Sequence, residues 1–101
     1  MRDFKKLLIW QLGMDIVDKV YEIVPMLPQE EKYGMRSQMT RSEKEHIKYV
    51  ETSPGSAFEL ETHTLSVQRR KWVDEKLITE LLEIVRRERK MIVKFIEKLE
   101  A

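Results

Sequence analysis

The chain has 101 residues, which is the size of one domain, and we treat 1–101 as a single domain. Its 19 Lys and Arg residues nearly balance its 18 Asp and Glu residues, so the formal net charge of +1 excludes a histone-like polycation. A hydrophobic content of 42% argues against disorder, and the absence of Cys excludes disulfides, thiolate metal sites and cysteine catalysis. With three Gly and three Pro, the composition predicts an all-α protein.

The first predicted helix runs from Ile9 to Val24, where apolar residues recur on one half of a helical wheel, and it stops at Pro25. Phe4, Leu8 and Leu12 fall outside that phase, so we expect the residues before about Leu8 to form an extended tail. The basic N-terminus is not followed by the apolar core of a signal peptide, and no apolar run reaches the roughly 18–20 residues of a membrane span. We therefore expect a cytoplasmic protein that does not associate with membranes.

Two further helices are predicted in the middle of the chain. The second runs from Pro28 to Arg41, with two glutamates in its first turn, where the helix dipole favours anions. The third is expected to begin at Ser42, because Ser42–Glu45 has the pattern of a capping box, and to continue to about Arg70. Pro54–Gly55 lies inside this third helix and predicts a kink or a break.

The fourth predicted helix is capped by Asp74 and runs from Glu75 to about Leu99. Its apolar residues cover about 200° of the wheel, twice the roughly 100° that a surface helix needs to pack on one core. We infer that part of this arc meets a second subunit; the alternative is that helices of the same chain surround it. Glu88 and Arg89 interrupt the arc, and Glu61 lies on an apolar face of the third helix, so an interior Glu61–Arg89 ion pair is predicted.

Together the four patterns predict an antiparallel, up-and-down four-helix bundle. The second and third helices meet without a loop between Arg41 and Ser42, although such a connection usually takes about 2–8 residues. The lack of any such connection predicts that a segment is missing between Arg41 and Ser42.

Three groups of residues, taken together, resemble a known family. They are Arg2-Asp3-Phe4 with Ile9-Trp10-Gln11, Glu30–Met35, and Gly55-Ser56 followed by Glu59–Thr62. In this order they look like the four-helix-bundle proteins encoded in intervening sequences of bacterial 23S rRNA genes. The resemblance covers nearly the whole chain and implies a subunit that assembles into a ring-like homopentamer. A similar protein, the accessory protein of diversity-generating retroelements, is linked to nucleic-acid binding, and members of the family generally lack an assigned reaction.

The chain departs from the family between Arg41 and Ser42, where the lack of a loop also predicts a missing segment. After the position that matches Arg41, the family carries a stretch resembling Ala-x-Ser-Ile-Pro-x-Asn-Ile-Ala-Glu-Gly, which is absent here. Either this chain has a natural deletion, or the numbering omits residues between Arg41 and Ser42.

Catalytic and metal-binding patterns are weak. Glu43 and His46 form one Glu-x-x-His step, but a di-iron site needs a second such step and two further carboxylates. Ser56 and His63 would lie about 10 Å apart on one helix, without an oxyanion loop. We therefore expect no metal, no cofactor, no small-molecule substrate and no enzymatic activity.

Basic residues are the strongest functional signal. Seven of them form two groups, at the end of the third helix and along the fourth: Arg69, Arg70, Lys71, Arg86, Arg87, Lys90 and Lys94. Such groups bind phosphate backbones, and Trp72 could stack on a base. The alternative is a solvated face in which Glu83 pairs with Arg87 and the cations complement the helix dipole.

The sequence therefore predicts a non-catalytic homo-oligomer that binds RNA or DNA. The alternative is a structural or protein-binding scaffold without affinity for nucleic acid.

Overall fold

The computed structural model describes residues 4–31, 33–49 and 54–100. Its helices are α1 (Phe4–Ile23), α2 (Met35–Tyr49), α3 (Pro54–Arg70) and α4 (Glu75–Glu100), and two 3-10 turns, Val24–Met26 and Gln29–Glu31, lie between α1 and α2. Around the bundle, α1 packs against α4, α4 against α3, α3 against α2, and α2 against α1. The predicted all-α four-helix bundle is confirmed.

Contacts between α4 and its two neighbours show that the helices run antiparallel. Lys19 Nζ lies 2.5 Å from Glu80 Oε2, whereas Gly13, earlier on α1, faces Glu88, later on α4. On the other side of α4, Gln68 Nε2 donates to Glu75 Oε1 at 3.3 Å, near the start of α4. The Lys19–Glu80 hydrogen bond raises the pKa of the lysine and lowers the pKa of the glutamate, so both groups are charged at neutral pH.

The core has two apolar clusters. The larger contains residues of all four helices, among them Ile16 of α1 and Val85 of α4. The smaller consists of Ile9, Ile92 and Phe95, so only α1 and α4 contribute its buried side chains. In sequence, Gly13 and Glu88 fall between the two clusters on α1 and α4, and they mark a polar layer that separates the clusters.

The N-terminal part of α1 differs from the prediction. The helix begins at Phe4, so an extended tail before Leu8 is wrong. Leu8 and Leu12 do fall outside the main apolar phase, but they line a groove between α1 and α4 together with Met91. Because this edge of α1 faces α4, apolar residues outside the main apolar phase, such as Leu8 and Leu12, can still belong to a helix.

The start of α2 also differs from the prediction. The helix begins at Met35 rather than near Pro28, and Glu31 caps it from outside: Glu31 Oε1 accepts the Met35 backbone N–H at 3.1 Å. A Cβ on Gly34 would lie 2.8 Å from Glu31 Oε1, so the absence of a side chain at this position makes room for the cap.

The predicted boundary between Arg41 and Ser42 is wrong. Helix α2 runs through both residues to Tyr49, and Ser42 is buried in its middle, with Oγ 2.8 Å from His63 Nδ1 of α3. This continuity removes the length argument for a missing segment. The break expected near Pro54 is confirmed, since α3 begins at Pro54, a residue suited to the first turn.

Helix α4 matches its prediction closely. Asp74 Oδ1 accepts the Lys76 backbone N–H at 2.9 Å, and the helix runs to Glu100. Much of its wide apolar arc is buried against α1 and α3, whereas Leu99 at the end of the arc is exposed, so the predicted contact of the arc with a second subunit stays a prediction. Within the described ranges, no helix combines the length and apolar character needed to cross a bilayer.

Candidate nucleic-acid interface

The outward face of α4 carries a row of cations. Arg86, Arg87, Lys90 and Lys94 are exposed, and their spacing places them within about 100° of the helix circumference. The side chains therefore project to the same side of α4; at the edges of this face Arg86 reaches α3, and Arg87 lines the groove between α1 and α4.

Arg86 is partly neutralised by an ion pair across the α3–α4 contact. Arg86 Nε donates to Glu61 Oε2 at 2.7 Å, and Arg89 Nε donates to Glu61 Oε1 at 3.0 Å. Glu61 is buried, and the two arginines satisfy both of its oxygens. The structure thus brings together Glu61 and Arg89, as the sequence suggested, and adds Arg86, which the sequence analysis had assigned to the basic surface.

The other three cations are unpaired with acidic groups. In the part of the chain that the structure describes, no carboxylate lies within ion-pair distance of Arg87, Lys90 or Lys94. Glu83 and Arg87 do not form the i,i+4 ion pair that the alternative interpretation required. We refer to Arg87, Lys90 and Lys94 as the α4 stripe.

The second group of basic residues lies at the opposite end of the bundle. The contact between Gln68 and Glu75 places the end of α3 level with the start of α4. Lys90 is further along α4 by about 22 Å at 1.5 Å per residue. The two predicted groups therefore do not form one continuous surface.

At that end, Arg70 and Lys71 also have local structural roles. Arg70 Nη1 donates to Ser66 Oγ at 2.6 Å, and its guanidinium lies 5.5 Å from the centroid of the Trp72 ring. Lys71 has a φ of 56° and ends α3 in the left-handed conformation that glycine usually supplies. Only Arg69 of this group is an exposed helical cation without such a role.

The polar layer in the core was not predicted as a unit. Ser56 Oγ lies 2.8 Å from His46 Nδ1, and His46 Nε2 contacts Glu88 Oε1. His46 and Glu88 are fully buried, and a Cβ on Gly13 would lie 3.0 Å from Glu88 Oε2. The one sequence signal was Glu88 on the apolar arc of the fourth helix.

A second polar group lies on the α2–α3 contact. Ser42 Oγ is 2.8 Å from His63 Nδ1 and donates to Glu59 Oε1 at 3.3 Å. Nearby, Glu43 is buried, and its Oε2 has no hydrogen-bond partner among the described residues. Burial raises the pKa of the Glu43 carboxyl, and the neighbouring Lys44 and His46 oppose only part of that effect.

These groups hold helices together. Ser56 and His63, weighed as nucleophile and base, each bond to a different partner, and the His46 ring between Ser56 and Glu88 is closed to solvent. Among the described residues, no three His, Asp or Glu side chains are arranged to hold a metal ion, so Glu43 and His46 do not form part of such a cluster.

Comparison with known proteins gives no match to a protein-family model, a curated protein or a solved structure. The resemblance to the 23S rRNA intervening-sequence proteins stays a prediction.

Proposed function

We propose that this protein is a non-catalytic, cytoplasmic homo-oligomer of the 23S rRNA intervening-sequence type that binds RNA or DNA through the α4 stripe. The supporting observation is the exposure of Arg87, Lys90 and Lys94 on one helix face, with no acidic partner in the described part of the chain. Cations of this kind bind phosphate backbones and release counterions. With Arg86, the stripe spans about 12 Å, which is the length of a few phosphates along one strand at about 3.4 Å each.

An exposed apolar face on α1 supports self-assembly. Leu7, Trp10, Met14 and Tyr21 are exposed large hydrophobic residues, and their spacings of three, four and seven residues are those of a coiled-coil seam. This face, rather than the arc of α4, is the surface that we assign to contact between copies. The resemblance implies five copies, and repeated copies would multiply a modest cationic stripe into an extended binding surface.

A salt titration tests the nucleic-acid proposal. The full-length protein is titrated with a fluorescent single-stranded RNA and with duplex DNA of unrelated sequence at several salt concentrations. Binding through phosphates gives a steep negative slope of log affinity against log salt concentration. No detectable binding at low salt would overturn the proposal.

Two triple variants distinguish a specific role of the α4 stripe in binding from a general effect of net charge. The first replaces Arg87, Lys90 and Lys94 with Gln; the control replaces Arg69, Lys71 and Lys76, which are exposed at the other end of the bundle. Both remove three positive charges from a chain of formal net charge +1. We expect the first variant to reduce the salt slope for single-stranded RNA by about 2 and the control to leave it nearly unchanged. Equal losses in both variants would contradict a specific role of the stripe.

The second candidate function is a scaffold that binds itself or another protein and has no affinity for nucleic acid. The α1 face favours it, because exposed apolar surface of this kind marks protein contacts. Assembly without salt-dependent RNA or DNA binding is the result that would select this function.

A further inference from the structure

An open groove of about 530 Å³ runs along the outer face of α2. Its lining consists of one aromatic ring, two hydroxyl groups and three cationic side chains: Tyr33, Ser37, Thr40, Arg36, Arg41 and Lys44. None of these lining residues is acidic, so the groove presents positive charge and hydrogen-bonding groups on one face.

Helix geometry explains why these residues line one groove. Residues four apart stack along a helix as ridges, and here Ser37 and Arg41 form one row beside a second row of Arg36, Thr40 and Lys44, with Tyr33 in the turn just before α2. The groove is the space between the two rows. Arg41 and Lys44 are three residues apart on facing rows, a separation at which side chains are neighbours.

The cationic end of the groove suits a phosphate group. Arg41 is exposed and offers a planar set of N–H donors, and Lys44 adds a second exposed charge beside it. Arg36 is fixed in the wall, since its Nη2 donates to the Leu27 carbonyl at 2.5 Å, and its Nε is buried without a hydrogen-bond partner among the described residues.

The other end of the groove suits an aromatic base. The Tyr33 side chain is 87% exposed and lies in the turn just before α2, eight residues ahead of Arg41. An exposed aromatic ring can stack on any nucleobase. On the row of Arg41, Glu45 follows one turn later and is exposed, so a negative charge limits the cationic end and disfavours a long polyphosphate.

We infer that the α2 groove binds a nucleotide unit, with its base on Tyr33 and its phosphate between Arg41 and Lys44. The unit is either a free mononucleotide or one residue of a nucleic-acid strand. This inference is independent of the proposed function, because the groove lies on the outer face of α2, whereas α2 meets α4 through the buried contact of His46 with Glu88. The groove and the α4 stripe therefore lie on different sides of the bundle.

The test is a titration of the full-length ¹⁵N-labelled protein with AMP, with inorganic phosphate and with a single-stranded RNA octamer. We expect saturable shifts of amide resonances within residues 33–45 at AMP concentrations of roughly 1 mM or below. Arg41→Gln/Lys44→Gln is expected to weaken AMP binding about tenfold. Tyr33→Leu is expected to weaken AMP binding about fivefold without weakening phosphate binding, because only the base contacts the ring.

The matched control is Lys76→Gln/Lys98→Gln, which removes two exposed charges from α4 and is expected to bind AMP like the unmodified protein. Octamer binding that requires Arg41 and Lys44, but not the α4 stripe, would support the groove and identify a strand as the source of the nucleotide. Absence of saturable AMP and octamer shifts in α2, or equal AMP affinity in the groove variant and the control, would overturn the inference. If AMP did not bind, and octamer binding were lost only in the variant of the α4 stripe, the inference would be overturned and the proposed function would be supported.

Discussion

At the scale of single residues, the main feature is a set of polar groups buried where a small bundle would ordinarily have apolar ones. His46 and Glu88 contact each other across the core, and Ser56 Oγ forms a hydrogen bond with the second ring nitrogen of His46. Gly13, which has no side chain, leaves space for the carboxyl group of Glu88. A buried pair of polar groups adds little net stability, since the cost of desolvating both groups offsets their attraction. Loss of one partner is costly, because the other is then buried alone.

The first prediction concerns this pair. We expect His46→Leu to lower the free energy of unfolding by about 3 kcal/mol, since it leaves the Glu88 carboxylate without its buried partner. We expect the double variant His46→Leu/Glu88→Met to lie within about 1 kcal/mol of the unmodified protein, because both polar groups are replaced by apolar ones. Urea denaturation of both variants, with Glu88→Met alone to complete the cycle, measures the coupling. Additive losses would show that the pair does not act as a unit.

The second prediction concerns Glu43. Its pKa is raised by burial in the folded protein, so the ionised carboxylate destabilises the fold at neutral pH. This penalty disappears as pH falls through the folded-state pKa toward 4.5, the value of an unperturbed carboxyl group. We expect Glu43→Met to stabilise the protein by about 1 kcal/mol at pH 7 and by less at pH 5.

Urea denaturation of the unmodified protein and Glu43→Met at both pH values provides the measurement. Glu45→Met, at an exposed position of the same helix, serves as the control and is expected to show no comparable dependence on pH. If Glu43→Met stabilised the protein equally at both pH values, burial of the ionised Glu43 carboxylate could not be the cause.

At the scale of helices, the sequence was sufficient where local signals and packing agree. Helix α4 has a cap at Asp74, a long amphipathic repeat and no internal Gly or Pro, and its predicted end lies within one residue of the observed Glu100. The break near Pro54 was predictable for a similar reason, because proline cannot donate a backbone hydrogen bond within a helix.

The boundary at Ser42 could not be settled locally. Ser42–Glu45 has the residues of a capping box, but the Ser42 hydroxyl contacts His63 and Glu59 on another helix. Its role depends on a tertiary contact that the local pattern does not contain. The same limit applies to the candidate interface: the sequence identified the cations, whereas the pairing of Arg86 with Glu61 and the distance between the two basic groups depend on how α3 and α4 pack.

At the scale of the whole molecule, the bundle is elongated, with principal extents of 47 × 24 × 19 Å. The hydrogen bonds from Arg86 and Arg89 to Glu61 fix the level of Glu61 on α4, and the start of α3, seven residues earlier, lies about 10 Å further along α4. Helix α4 continues beyond that level by about 8 Å, and this end of α4 packs with the first turns of α1. The same end of the bundle carries Lys90 and Lys94 on α4 and the exposed Leu7 and Trp10 on α1, so the proposed nucleic-acid and self-association surfaces are adjacent.

The third prediction concerns assembly through α1. Trp10 is 55% exposed in the single chain and has the largest side chain on the coiled-coil seam, so burial against another copy would make it a main contributor to association. We expect Trp10→Glu to weaken association by about 2 kcal/mol per contact, because a carboxylate replaces a large apolar surface. Sedimentation at micromolar concentration should show the unmodified protein as an oligomer and the variant shifted toward the 12.2 kDa monomer.

Thr62→Glu introduces the same charge at an exposed position of α3 and should sediment like the unmodified protein, with circular dichroism confirming that both variants are folded. A monomeric unmodified protein, or equal dissociation in both variants, would show that the α1 face does not mediate self-association, and the increase in RNA affinity expected from repeated stripes would then have no structural basis.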